Sequence, residues 1–256
     1  MAGTDKTKPE AGGGPAVILV DPQLGENIGM VARAMLNCGL DDLRLVRPRD
    51  GWPNPAAEAA ASGATSVLER ARLFYTLGDA IADLDRLYAA SARARDLTKP
   101  VVTPRQAAAE LRASAAAGRA AGLLMGPERS GLTSDDVALA DAVIQVPLNP
   151  AFSSLNLAQA VLLVGYEWYQ AGAEAPARVL PMGNSRPATK EELLNFFERL
   201  EATLDETGFM HPPERRPIMV RNLRSLFGRA DLSEQEVRSL HGVVSALIGK
   251  KRPKSG

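Results

Sequence analysis

Most of the side chains in this 256-residue chain that could do chemistry lie in three loops, two of them glycine-bearing. The first, Asp21-Pro22-Gln23-Leu24-Gly25-Glu26-Asn27-Ile28-Gly29, leads into a segment that carries Arg33. Arg33 falls one turn beyond Gly29 in an otherwise apolar run. Its guanidinium therefore either snorkels along a helix or points at an anionic or hydroxyl-bearing ligand. The second loop, Leu124 to Leu132, sets Gly126 and Gly131 around Glu128 and Arg129. Glycine lets backbone approach a ligand closely, although Gly-Pro after a strand is commonly just a turn. The third, Val146 to Ala158, holds Ser153, Ser154 and Asn156, any of which could simply cap the helix that follows. None of the three is a G-x-G-x-x-G dinucleotide fingerprint, and no G-x-x-x-x-G-K-[ST] run occurs.

Composition limits what these loops can do. Two histidines and one cysteine are too few ligands for a zinc finger or a His-rich metal centre. A Ser-His-Asp triad could draw only on His211 or His241, both near the C-terminus. One cysteine allows no internal disulfide framework, which fits a reducing, cytoplasmic setting. No secretory leader and no apolar run approaching the ~20 residues of a membrane span is visible, so no membrane partner is expected. With 45% apolar and 23% charged residues the chain is an ordinary globular one. Thirty basic residues balance thirty acidic ones, which as an average argues against a nucleic-acid partner.

The elements that must position the loops follow from apolar periodicity. Ala16 to Val20 is a continuous apolar run, expected as a strand buried on both faces. Ile28, Val31, Ala32, Met35 and Leu36 recur at helical spacing, and Gly39 can supply a left-handed C-cap. Leu43 to Val46, Leu73 to Tyr75, Arg86 to Ala90, Ala121 to Met125 and Ala142 to Val146 are the further expected strands. Between them, helices are expected over Ala56 to Leu68, Leu77 to Leu84, Thr103 to Ala117 and Thr133 to Leu139, and Asn156 to Gln170 closes the region as a long apolar helix. Alternating strands and helices imply a parallel α/β sheet covered on both faces. All three loops then fall after the C-terminal ends of strands, where open α/β sheets bind ligands.

Four parts are expected: a disordered tail over 1–14, the α/β domain over 15–171, a proline-rich linker over 172–188 and an all-α extension over 189–256. The extension has capping boxes at Thr189–Glu192 and Ser233–Glu236. Its charge is uneven. Residues 189–208 hold six acids against two bases, whereas residues 209–256 hold ten bases against four acids. On charge alone a solvated helical face is the favoured reading, and a phosphate-contacting surface is the sharper one.

Taken in order, the three loops resemble the motifs of the SPOUT superfamily, and within it the TrmH-like 2′-O-ribose methyltransferases. Asn27-Ile28-Gly29-Met30-Val31-Ala32-Arg33 resembles the first motif and Gly126-Pro127-Glu128-Arg129-Ser130-Gly131-Leu132 the second. Ile144 to Ala158, with Pro147 and Ser154-Leu155-Asn156, resembles the third. Asp21-Pro22, Asn149-Pro150, Ser91-Ala92-Arg93-Ala94-Arg95 and Arg221-Asn222-Leu223-Arg224-Ser225-Leu226-Phe227 are most similar to the bacterial tRNA cytidine/uridine ribose methyltransferases. The resemblance spans roughly Ala16 to Ile248.

It implies a mostly parallel sheet whose C-terminal part is threaded into a trefoil knot, beside the small all-α extension. It implies S-adenosylmethionine as cofactor, contacted by Ala90, Ser91, Ala92, Gly126, Val146, Ser153, Ser154 and Leu155. Where the family commonly has Thr, this chain has Ala90, so a hydroxyl contact is lost there. The resemblance gives Arg33 the activation of the ribose 2′-hydroxyl and Ser154 its orientation. A guanidinium stays protonated, so Arg33 is expected to stabilise the developing alkoxide. Asn27 and Glu128 are expected to brace pocket and substrate, with Asn156 beside them. Arg93 and Arg95 are expected to contact phosphate, and Arg221 and Arg224 to grip tRNA from the extension. The implied assembly is a homodimer in which one subunit's Arg33 lies near the other's cofactor. The implied substrate is cytidine or uridine at anticodon-loop position 32 of tRNA, with no DNA partner. The rival readings are a ribosomal RNA 2′-O-methyltransferase and a catalytically silent RNA-binding module on the same fold.

Overall fold

The computed structural model describes residue 7 and residues 12–91, 98–173 and 180–249. Most of the expected tail, and residues 174–179 of the expected linker, lie outside the described residues. The chain divides into two compact units, Met1–Ala175 and Pro176–Gly256.

The first unit is built on seven strands: β1 (Ala16–Val20), β2 (Leu43–Val46), β3 (Arg72–Phe74), β4 (Arg86–Ala90), β5 (Val101–Val102), β6 (Ala121–Met125) and β7 (Ala142–Ile144). Their order across the sheet is β3-β2-β1-β6-β4-β7-β5, and every pair is parallel. The chain first builds outward from β1 through β2 to β3. It then lays down β4 one strand-width away from β1, and β6 later fills that gap, pairing with both. In the same way β7 enters between β4 and β5. Two late insertions therefore set the C-terminal ends of β4, β6, β7 and β5 side by side.

Among the described residues, seven helices accompany the sheet: α1 (Gly25–Asn37), α2 (Pro55–Ala61), α3 (Thr65–Glu69), α4 (Leu77–Ile81), α5 (Pro104–Ala116), α6 (Ser134–Ala138) and α7 (Leu157–Gln170). Successive side chains of β1 feed two cores, as its period of two requires. Val17 and Leu19 join Met35, Leu111, Val161 and Val164 on the face covered by α1, α5 and α7. Ile18 and Val20 join Leu77, Ala80 and Val137 on the face covered by α4 and α6. Both strand faces are dry, which explains the unbroken apolar run of β1.

One polar side chain interrupts this pattern. Arg44 on β2 is only 3% exposed. Its guanidinium donates to Asp42 at 2.9 Å, to Asp83 at 2.5 Å and to the carbonyl of Ala80 at 2.6 Å. A buried charge is tolerated only when paired and hydrogen-bonded, and here it ties the end of α4 to β2. Burial alone would lower the Arg44 pKa, but these partners raise it, and Asp83 is held below its ordinary value by the same hydrogen bonds.

The strand and helix positions agree closely with the periodicity, and the departures have local causes. Gly39 takes the left-handed conformation after α1, with φ 66°. The helix expected over Ala56 to Leu68 is two helices, because Ser62 and Gly63 between them have φ values of 50° and 97°. β5 was not anticipated. It has two residues and no periodicity to find, and its pairing with β7 alone makes it a strand. Among the described residues no helix is long and apolar enough to cross a membrane.

The second unit contains α8 (Lys190–Glu206), α9 (Arg216–Gly228) and α10 (Glu234–Leu247). Both expected capping boxes are formed, by Thr189 with Glu192 and by Ser233 with Glu236. Leu193, Phe196, Phe197, Val237 and Val244 form its core, with Phe227 packed edge-on against Phe196 at 5.1 Å. The segment from Ser185 to Ala188 is not a free connector. Pro187 bridges Ser233, and the Ala188 amide donates to the Leu232 carbonyl.

α1 and α2 pack so closely at Gly29 that a Cβ there would stand 2.1 Å from the Ala57 carbonyl oxygen. Backbone cannot swing aside as a side chain can. Gly29→Ala is therefore expected to lower the unfolding free energy by about 1–3 kcal/mol, read as a lower urea midpoint at unchanged slope. A midpoint equal to that of the parent chain would show that α2 moves at no cost.

Candidate active site

A cavity of about 810 Å³ opens at the C-terminal ends of β4, β6, β7 and β5. Its volume lies in the range of small-molecule sites. Of the expected cofactor contacts, Ala90, Ser91, Gly126, Val146, Ser153, Ser154 and Leu155 all line it, as do Glu128 and Asn156. Ala92, Arg93 and Arg95 lie outside the described residues. Val101, Val102 and Thr103, which the sequence did not single out, complete one wall. They belong to β5 and its exit, so the signal missing for the strand was also missing for the wall.

The loop after β6 owes its shape to two glycines. A Cβ on Gly126 would lie 2.2 Å from the Leu132 nitrogen and 2.5 Å from the Gly131 carbonyl carbon, so the loop closes on itself only with glycine there. Gly131 has φ 67°, and its amide donates to the Pro127 carbonyl at 2.8 Å. This turn carries Glu128 back over the first loop. One Glu128 oxygen accepts from the Gln23 amide at 2.9 Å and the other from the Asn27 side-chain amide at 2.7 Å. The carboxylate thus clamps the first motif loop to the second, a role that uses both of its oxygens.

The third loop is pinned differently. Asn149 accepts from the Ala151 amide through its side chain at 3.0 Å and from the Phe152 amide through its carbonyl at 2.9 Å. Asn156 is the N-cap of α7. It accepts from the Gln159 amide at 2.7 Å, and Gln159 accepts in return from the Asn156 amide at 3.0 Å. Between these two fixed points Ser153, Ser154 and Leu155 run along the cavity wall.

Arg33 is placed elsewhere. It is exposed, on the stripe of α1 that also carries Glu26 and Asn37, and it does not line the cavity. Among the described residues it has no hydrogen-bond or ion-pair partner. Its period along α1 puts it opposite Ile28, Val31, Ala32 and Met35, which are buried against the sheet.

In the second unit the two expected tRNA-contacting arginines differ. Arg221 is exposed and, among the described residues, donates to the Pro217 carbonyl one turn back and makes no ion pair. Arg224 pairs with Glu201 through two hydrogen bonds of 2.6 and 3.0 Å, and Glu201 is 8% exposed. The Glu201 carboxylate raises the pKa of Arg224 above its ordinary value.

Chemistry at the cavity rests on few groups. Among the described residues, Glu128 and Arg129 are the charged ones that line it, and hydroxyls come from Ser91, Thr103, Ser130, Ser153 and Ser154. Cys38 is buried, and burial pushes its thiol up to about 11, which keeps it protonated near neutrality. A wall of backbone, small apolar side chains and a few hydroxyls suits an elongated ligand recognised by shape and by a few hydrogen bonds. Such a wall fits S-adenosylmethionine.

Residues 14–166, more than half of the chain, match the SpoU rRNA Methylase family. Residues 191–256 match the C-terminal domain of tRNA methyltransferase TrmJ. The chain is 35% identical to the tRNA (cytidine/uridine/adenosine-2'-O-)-methyltransferase TrmJ of Pseudomonas aeruginosa, with 90% of this chain and 91% of that protein covered. It is also 35% identical to the tRNA (cytidine/uridine-2'-O-)-methyltransferase TrmJ of Klebsiella pneumoniae, covering 93% of this chain and 98% of that one. The crystal structure of TrmJ from Z. mobilis superposes with a TM-score of 0.78 at 52% identity, over 91% of this chain and 98% of that chain. The chain therefore belongs to the SpoU methylase family and, since its helical second unit is matched as well, to the TrmJ branch of that family.

Proposed function

We propose that this chain is a tRNA 2′-O-methyltransferase that transfers the methyl group of S-adenosylmethionine to the ribose of cytidine or uridine, at anticodon-loop position 32. The observation that carries the reading is the convergence of the three motif loops on one cavity at adjacent strand ends, in a chain that also carries the TrmJ-type helical unit. That unit favours tRNA over ribosomal RNA. The presence of Arg33, Ser154 and a preformed cavity argues against a silent binding module.

Bound S-adenosylmethionine supplies a methyl group already activated on a sulfonium. The chain then has to position the acceptor and manage one proton, and positioning alone provides much of such a rate. A ribose 2′-hydroxyl is a poor nucleophile near neutral pH. Ser154 orients it from the cavity wall, and the Glu128 clamp keeps the first two loops in register. Arg33 stabilises the alkoxide as it develops. Because Arg33 is exposed on α1 and absent from its own chain's cavity lining, we take it to serve the cavity of a second copy. The working form is then a homodimer, in the cytoplasm where its tRNA is found. In the same reading the sheet's C-terminal part is the knotted cradle of the SPOUT fold, and Arg93 and Arg95 reach phosphate beside it.

Mass-spectrometric mapping of ribose methylation on tRNA incubated with the chain and labelled S-adenosylmethionine tests the reaction. A 2′-O-methyl group at position 32 is expected, and no ribose methylation on any tRNA would overturn the reading. Arg33→Ala should lower turnover by about a hundredfold or more with nearly unchanged cofactor affinity by calorimetry. Unchanged turnover would sink the assigned role. Arg221→Ala should reduce the slope of log tRNA affinity against log salt by about one. Arg224→Ala should instead destabilise the helical unit, since it leaves the Glu201 carboxylate without its partner, and a lower melting temperature would report this.

A further inference from the structure

Two exposed side chains, Phe152 and Arg129, sit on loops that build the cavity and have no part in the mechanism above. Phe152 is 76% exposed although it is one of only six phenylalanines in the chain. Its backbone is pinned by the Asn149 turn, and the residue after it, Ser153, begins the cavity wall. The ring is thus exposed on a braced turn, one residue before the cavity wall begins. Arg129 lines the cavity from the loop after β6, at the tip of the turn closed by the Gly131 amide on the Pro127 carbonyl. It is exposed and has no hydrogen-bond or ion-pair partner among the described residues. Its neighbour Glu128 is turned to the first loop, where its two oxygens accept from Gln23 and Asn27, and forms no ion pair with it.

A bare aromatic face and an uncommitted guanidinium on two loops that build one cavity match the two recognisable parts of a nucleotide. Single-stranded RNA is held by stacking of unpaired bases on aromatic rings and by cationic side chains along the phosphates. We infer that the rim of this cavity is a nucleotide subsite in which Phe152 stacks on an RNA base and Arg129 pairs with an oxyanion. The inference rests on the RNA substrate proposed above and adds how a nucleotide is held at the site. Stacking accepts any base with a π face, so the subsite holds a nucleotide without selecting its identity. The oxyanion can come from an RNA phosphate or from the carboxylate of the cofactor, and these two sources respond differently to salt.

The test uses the full chain with an unmodified tRNA transcript. Affinity is measured by filter binding across a salt series, methylation under single-turnover conditions, S-adenosylmethionine affinity by calorimetry and assembly by sedimentation. Phe152→Ala and Phe152→Leu should each weaken tRNA affinity about five- to hundredfold, while Phe152→Tyr recovers most of it. Cofactor affinity and sedimentation should not change. Leucine matches the apolar bulk but lacks a π face, so a Phe152→Leu variant that binds as the parent does overturns stacking. A Phe152→Ala variant that sediments as a smaller species overturns it too, by showing that the ring packs against a second copy. Arg129→Gln should lower the salt slope by about one if the oxyanion is a phosphate, or weaken cofactor binding at unchanged slope if it is the carboxylate. If the salt slope and the cofactor affinity both stay at the parent values, the role of Arg129 is overturned. The binding measurements do not require turnover. A parent chain that binds tRNA without methylating it would defeat the proposed reaction, while the Phe152 and Arg129 variants would still decide the subsite.

Discussion

The whole site depends on β6 pairing with two strands at once. β1 and β4 leave a gap of one strand between them, and β6 fills it in parallel with both. Parallel pairing sends every strand's C-terminal end in one direction, so the loops after β4, β6 and β7 have no choice but to meet. Gly122 on β6 reflects how tight the insertion is, since a Cβ there would stand 2.6 Å from Leu84 and 2.7 Å from Ile18. Until β6 is in place the β1 loop and the β4 loop are unrelated surfaces.

Once the loops meet, they are held by very little polar machinery. A single carboxylate, Glu128, joins the first loop to the second with two hydrogen bonds, and hydrogen bonds to a charged group are the stronger kind. Asn156 and Gln159 secure the third loop through reciprocal capping of α7. This restraint leaves the cavity wall to backbone, hydroxyls and small apolar side chains. The motif residues therefore divide between two duties. Glu128, Asn27 and Asn156 hold the walls, whereas Ser153 and Ser154 face what the walls enclose.

The helical unit shows the same division among its arginines. Arg216 is committed to Asp205 and Arg224 to Glu201, so much of the opposite charge within this unit cancels inside its own fold. Pairing of this kind orients α9 on α8 and removes those guanidinium groups from any long-range field. Arg215, Arg221 and Arg229 are exposed and make no ion pair among the described residues. Within the described part of the basic stretch, Arg216, Arg224 and Arg238 are thus already paired, and the cations left to meet a phosphate backbone are fewer than its ten basic residues.

Much of the fold was legible in the residues alone. The apolar run of β1, the helical spacing after Asn27, the left-handed glycine at position 39 and the two capping boxes of the helical unit all depend on neighbours within a few positions. Local sterics and short-range hydrogen bonds suffice for such features, and the motif loops could be read because they sit at the ends of those elements. Other features depend on partners far along the chain. β5 is a strand because β7 pairs with it, and the burial of Arg44 depends on Asp83, 39 residues away. Glu128 is a clamp because Gln23 and Asn27 lie beneath it, more than 100 residues earlier. The exposure of Arg33 and Phe152 also needed the packed structure. Residue type and spacing state what a side chain can do, but which groups it meets is decided by strand order, which brings distant segments together.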